Sequence, residues 1–184
     1  MFNFQKIETE RLVLRKLELS DADIIAKYAG DRKISEFTLN IPFPYLEKDA
    51  IWWINNSFKG FEENTHYTFG IYLKDTKEFI GGISLLLDMK NSRASLGYWI
   101  AVPFWNKGFM TEAVNQILKY GFEELGLNKI YAQHLVQNEA SGKVMQKAGM
   151  ILEGELKQHN IKDGIFRDLR QYRLLKSEFD LLKN

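Results

Sequence analysis

The segment Trp105-Asn106-Lys107-Gly108-Phe109-Met110-Thr111 constrains this chain most. Ahead of it runs an apolar, strand-like stretch, Gly97-Tyr98-Trp99-Ile100-Ala101-Val102, which Pro103 stops. Behind it, Glu112 to Glu124 has helical character. A strand, a short turn holding glycine and then a helix gather several backbone N–H groups at the helix N-terminus, where intrahelical bonding has not yet begun. Those donors and the helix dipole make a site for an anion. Glycine suits position 108, because a side chain there would stand where a phosphate has to approach. By itself the pattern also describes an ordinary β–α turn, so the rest of the chain decides.

The 184 residues, 45% hydrophobic and 14% aromatic, suffice for one domain over residues 1–184 with a substantial core. A net charge of +1 argues against nucleic acid as the main partner. The absence of cysteine removes disulfides, thiolate metal ligands and any cysteinyl intermediate. Met1–Leu14 carries Lys6, Glu8, Glu10 and Arg11 and lacks a signal-peptide core, and no apolar run is long enough to span a bilayer. The expectation is a cytoplasmic protein with no membrane partner and no metal. Its oligomeric state is left open.

Ile7 to Leu19 reads as a first strand around Leu12-Val13-Leu14. Ser20-Asp21-Ala22-Asp23 opens a short helix with Ile24, Ile25, Tyr28 and Ala29 on one face. Pro42 and Pro44 make Asn40–Tyr45 an extended loop, and a second helix follows with Ala50, Trp53, Ile54, Ser57, Phe58 and Phe61 on one side. The period then becomes two. Strands at Tyr67–Leu73, Phe79–Leu87 and Ala94–Val102 form an antiparallel meander. After the Gly108 turn comes a helix with Gly126 as its C-cap. Lys129–Val136 is a strand that can lie parallel to Ala94–Val102 through a right-handed crossover. A helix starting at Asn138 or Glu139 ends near Gly149. The hairpin Met150–Ile161 and Ile165–Leu175 turns at Asp163-Gly164, and Ser177–Leu182 gives a last helical turn. The order βααβββαβαββ predicts a mixed α/β sheet covered by helices.

Five segments in this order resemble the GNAT superfamily of acetyl-CoA-dependent N-acyltransferases, and more closely the branch that acetylates N-terminal residues of ribosomal proteins. They are Glu8-Thr9-Glu10-Arg11-Leu12-Val13-Leu14-Arg15; Pro42-Phe43-Pro44-Tyr45; Gly97-Tyr98-Trp99-Ile100; Trp105 to Ala113; and Asn138-Glu139-Ala140-Ser141 with Lys147-Ala148-Gly149-Met150 behind it. The family's phosphate loop reads Arg or Gln, two residues, Gly, one residue, then Gly or Ala. Here those places hold Trp105, Gly108 and Met110. A glutamate common in the branch is Ser95 here. The resemblance implies a mostly antiparallel sheet with one splayed parallel strand pair and helices on both faces.

It also implies that the pyrophosphate of acetyl-CoA meets the N–H groups of Lys107, Gly108, Phe109, Met110 and Thr111, and that the pantetheine arm lies along Ile100, Ala101 and Val102. Transfer needs a neutral amine, a stabilised oxyanion and a proton for the leaving thiolate. The N–H near Ile100 is the oxyanion donor so implied. Ser141 either gives the thiolate its proton or bonds the first helical turn. Asn138 either bonds the cofactor arm or caps the helix. The tyrosine that serves as acid in related alanine acetyltransferases is Met145 here, and a catalytic glutamate of those relatives is Gln133. His134, next to it, either acts as base or is structural, and strand alternation lets one of the two face the cleft. Glu153, Glu155 and His159 are further candidates for the base.

Among the aromatics Phe37, Phe43, Tyr45, Trp52 and Trp53, the proline-loop pair Phe43 and Tyr45 is the substrate-side choice. Lysine has a pKa of about 10.4 against about 8 for an α-amine, so neutralising lysine at pH 7 costs roughly 3 kcal/mol more. Without an obvious strong base, the acceptor expected is a protein N-terminus. A small amine acceptor and a non-catalytic acyl-CoA-binding module are the alternatives.

Overall fold

A computed structural model describes residues 6–182. The start of the stretch read for a signal peptide, and both ends of the 1–184 domain span, lie outside them. The strands are β1 (Ile7–Glu8), β2 (Leu12–Arg15), β3 (His66–Leu73), β4 (Phe79–Asp88), β5 (Arg93–Ile100), β6 (Lys129–Leu135), β7 (Ile151–Lys162) and β8 (Ile165–Leu175). They form one sheet in the order β1-β2-β3-β4-β5-β6-β8-β7. Neighbours are antiparallel except β5 and β6, which the α4 crossover makes parallel. The helices are α1 (Ala22–Ala29), α2 (Arg32–Phe37), α3 (Glu47–Glu63), α4 (Phe109–Lys119), α5 (Glu139–Lys147) and α6 (Lys176–Leu181). Among the described residues, no helix is long and apolar enough to cross a membrane.

Strand alternation sorts the core into two layers. On one face Tyr72, Phe79 and Trp99 pack in sequence, with ring centroids 5.4 and 5.8 Å apart, and Trp53 of α3 reaches Trp99 at 6.2 Å. Gly82 makes that approach possible: a Cβ there would fall 2.5 Å from the Trp53 ring. On the other face Phe69, Ile83 and Leu85 are fully buried or nearly so, under α4 and its continuation. The helix layers therefore cover opposite faces, and the β5–β6 pair lies between them.

Three local features depart from the sequence reading. The first strand is broken by a turn, in which Thr9 Oγ1 accepts the Leu12 N–H at 2.9 Å and the Thr9 N–H donates to the Leu12 carbonyl at 2.9 Å. Helix α2 is additional. At six residues it is too short for a periodic face, and its start shows in Asp31, whose carboxylate accepts the Lys33 N–H at 2.9 Å. Helix α4 ends at Lys119 and runs on as a π turn over Tyr120–Glu124.

Candidate active site

Strands β5 and β6 pair from Arg93↔Lys129 to Leu96↔Ala132 and then separate. Beyond that point β5 stays on β4 as far as Ile100, and β6 stays on β8 as far as Leu135. A cavity of about 900 Å³ surrounds the resulting gap. Ala101 donates its N–H to the Ile80 carbonyl at 2.8 Å, on the β4 side. Alternation then turns the N–H and C=O groups of Tyr98 and Ile100 into the gap. The Ile100 carbonyl accepts from Trp105 Nε1 at 2.7 Å. Tyr98 and Ile100 both line the cavity. This free edge lies upstream of Ala101 and Val102. Ala101 is fully buried, Val102 begins a 3₁₀ turn, and neither lines the cavity.

The N-terminus of α4 opens onto the same cavity. Gly108 has φ +78°, a left-handed conformation that glycine adopts without strain. The first intrahelical bond runs from the Glu112 N–H to the Gly108 carbonyl at 3.1 Å, so Phe109, Met110 and Thr111 have no acceptor within the helix. The Met110 side chain is 5% exposed and belongs to the core, so this residue offers the cleft its backbone. Lys107 is exposed and outside the cavity lining, with Nζ 5.5 Å from the Phe104 ring.

A clasp from the β1–β2 turn, not anticipated from the sequence, holds this loop. The Arg11 N–H and Nε donate to Glu112 at 2.9 and 2.7 Å, Arg11 Nη1 donates to the Lys107 carbonyl at 3.1 Å, and the Thr9 hydroxyl donates to Glu112. Burial works against the Glu112 carboxylate, but the Thr9 and Arg11 donors outweigh it and hold its pKa below the ordinary 4.5. A lowered folded pKa means the clasp contributes fully above the ordinary value and is lost as pH falls through the folded one. Urea melts from about pH 6 to about pH 3 should therefore lose stability less steeply in Glu112→Gln than in the parent. Equal slopes would place that acid sensitivity elsewhere.

Helix α5 forms the opposite wall. Asn138 is its N-cap: Oδ1 accepts the Ser141 N–H at 3.1 Å, and Nδ2 donates to the Phe37 carbonyl at 2.8 Å. Both ends of the amide are thus engaged within the protein. Asn138→Ala should lower stability by about 1 kcal/mol, measured by denaturant melts, and loosen the wall at Phe37. The Ser141 hydroxyl lies 2.9 Å from the Tyr98 hydroxyl, which is also 3.0 Å from the Ser141 carbonyl. Burial pushes the Tyr98 pKa well up, and the hydrogen bond with Ser141 only partly opposes this, so the phenol keeps its proton. Tyr98 belongs to the Gly97-Tyr98-Trp99-Ile100 motif, which by itself assigns it no role. Its signal was alternation, two residues before Ile100 on the same face.

His134 is 4% exposed and lies beneath α5, where a Cβ on Gly142 would fall 2.9 Å from its Nε2. Its Nδ1 is 2.8 Å from the Leu135 carbonyl, which can only accept, so Nδ1 carries the proton. Nε2 is buried and has no partner among the described residues. Burial lowers the His134 pKa, against a smaller opposing effect of the Leu135 hydrogen bond. Gln133, on the opposite face of β6, donates to Gln171 Oε1 at 2.7 Å, and both it and His134 border the cavity. Glu153 is paired with Lys129 at 2.6 Å, and Glu155 with Arg170 at 3.1 Å. Phe43 is 53% exposed, and neither it nor Tyr45 lines the cavity. Residues 37–41 and Trp53 do.

Residues 11–151 match the acetyltransferase (GNAT) domain family. The chain is 34% identical to the uncharacterized N-acetyltransferase p20 of Bacillus licheniformis, over 95% of this chain and 98% of that one. At 25% identity it resembles the spermidine N(1)-acetyltransferase of Vibrio cholerae, over 92% and 95% of the two chains. It is also 25% identical to the [ribosomal protein uS5]-alanine N-acetyltransferase of Escherichia coli, over 89% and 87%. A GNAT-family acetyltransferase structure from Bacillus anthracis superposes with a TM-score of 0.84 at 26% identity, covering 94% of this chain and 99% of the other. The parted strand pair, the glycine-led helix start and these likenesses agree: the chain belongs to the GNAT family of acetyltransferases and is an N-acetyltransferase.

Proposed function

We propose that this enzyme acetylates the N-terminal α-amine of a protein, a ribosomal protein being the substrate type that fits best, and does so in the cytoplasm. Bound acetyl-CoA supplies the activated acetyl thioester. The N–H groups at the start of α4 bind its diphosphate, and the Tyr98 and Ile100 edge of β5 orients its arm. The Ile100 N–H points into the gap as the oxyanion donor. The Ser141 and Tyr98 hydroxyls hold a proton beside the departing sulfur.

The observation that carries the acceptor choice is the shortage of carboxylates. Among the described residues lining the cavity, Glu139 is the one carboxylate, and it is exposed at the start of α5. A strong base for lysine is therefore missing, and so are the anionic contacts that a polycation such as spermidine requires. The α-amine, about half-way to deprotonation near its pKa of about 8, fits a site in which water carries the proton away. The test is coenzyme A release with peptides beginning Ala, Ser or Met, beside N-blocked lysine peptides and spermidine. Faster turnover on the free N-termini is expected. Faster turnover on lysine or spermidine would overturn the acceptor, and no release with any amine would leave an acyl-CoA-binding module.

A further inference from the structure

The β7–β8 hairpin carries two cations, the buried Lys162 and the half-buried Arg167, that make no ion pair among the described residues. Asn160, on β7, lines the cavity and sits directly opposite Arg167 in register, so the two side chains share one face. Lys162 lies two residues further along the same face, about 7 Å away at the usual strand rise. It is 9% exposed. Its Nζ donates to the Ile41 carbonyl at 3.3 Å, and that carbonyl already accepts the Ser35 hydroxyl at 2.9 Å. Ile41 itself lines the cavity. Arg167 Nε is buried and has no partner among the described residues.

Neighbouring carboxylates offset them only in part. Asp163, in the turn, attracts Lys162 from a distance but makes no ion pair with either cation among the described residues. Asp168 is committed to Lys157 at 2.9 Å and to the Gln158 N–H at 2.7 Å. Burying a cation without an opposite charge is unfavourable, and the cost is relieved when an anion arrives. Burial already lowers the Lys162 pKa. Through Asn160 and the Lys162–Ile41 contact the hairpin borders the cavity wall formed by residues 37–41, with Lys162 and Arg167 just outside the cavity lining.

We infer that Lys162 and Arg167 form an anion-binding subsite at the rim of the cleft, beside Asn160 and the residue 37–41 wall, which takes an Asp or Glu carboxylate carried within the first few residues of the acceptor peptide. This rests on the peptide acceptor proposed above and narrows it to acidic N-terminal sequences. A guanidinium presents paired donors that match a carboxylate, and the lysine adds a point charge beside it.

The test uses matched peptides that differ by Asp or Asn at the second or third position, with the parent enzyme, Arg167→Gln, Arg167→Lys and Lys162→Gln. The parent should favour the acidic peptide by at least about tenfold in kcat/KM, carried by KM. Arg167→Gln and Lys162→Gln should each reduce that preference and leave the Asn peptide unchanged, while Arg167→Lys retains most of it. Equal use of both peptides by the parent, or equal losses on both in Arg167→Gln, would overturn the subsite. Calorimetric binding of the two N-acetylated peptides needs no turnover. If no peptide is acetylated, the acceptor assignment fails, and the ratio of those two affinities still decides the subsite: tighter binding of the Asp form supports it and equal binding refutes it.

Discussion

Gly108→Glu is expected to weaken coenzyme A binding by more than about 100-fold, with thermal unfolding still cooperative. Three effects add. The left-handed φ of +78° costs a residue with a Cβ roughly 1–2 kcal/mol. A carboxylate would occupy the space into which the α4 N–H groups point, and each lost bond to a charged ligand is worth about 1.5–3 kcal/mol. The new negative charge also repels a diphosphate. The protein itself has room, since the nearest atom to a Cβ at this position is Arg11 Nη2 at 3.4 Å, so folding should survive. Gly108→Ala isolates the backbone strain and should cost about tenfold or less. Titration of both variants by calorimetry checks this, and unchanged affinity in Gly108→Glu would remove the loop from the binding site.

Ser141→Ala should lower kcat by about 10²–10³-fold with little change in coenzyme A affinity, if its hydroxyl supplies the proton. Alanine is the better helix former, and the Ser141 N–H keeps its Asn138 cap, so stability should barely move. Tyr98→Phe separates the two hydroxyls. It removes the partner 2.9 Å from Ser141 Oγ while leaving the serine in place, and a smaller fall in kcat is expected. A stability loss with normal turnover in Ser141→Ala would assign the serine a purely structural role.

What could be read from the sequence divides along physical lines. Patterns that act through the backbone locally were legible. The Asp163-Gly164 turn has φ values of +51° and +74°, as the hairpin requires, and a helix starts directly after Gly108, as the strand–turn–helix order indicates. Alternation puts Gln133 and His134 on opposite faces, beside Gln171 and Tyr172, yet both border the cavity where the alternation argument admits one. Contacts between distant segments were not legible. The Arg11–Glu112 clasp joins residues about 100 positions apart, and nothing in either neighbourhood announces it. The free edge of β5 depends on which side each carbonyl turns, and the Ala101–Ile80 bond sets that, not the position of Pro103. The proline loop is extended as expected, yet its Phe43 and Tyr45 lie away from the cavity, and residues 37–41, which include its first two positions, form the wall instead. Tyr98 required the position of α5, because its hydroxyl gains meaning only beside Ser141.

A crystal structure with bound coenzyme A tests the central claim most directly. The diphosphate should lie within hydrogen-bonding distance of the N–H groups at the start of α4, with the pantetheine amides on the Tyr98 and Ile100 edge. A diphosphate bound elsewhere, or β5 and β6 closed together past Leu96 in the complex, would contradict it.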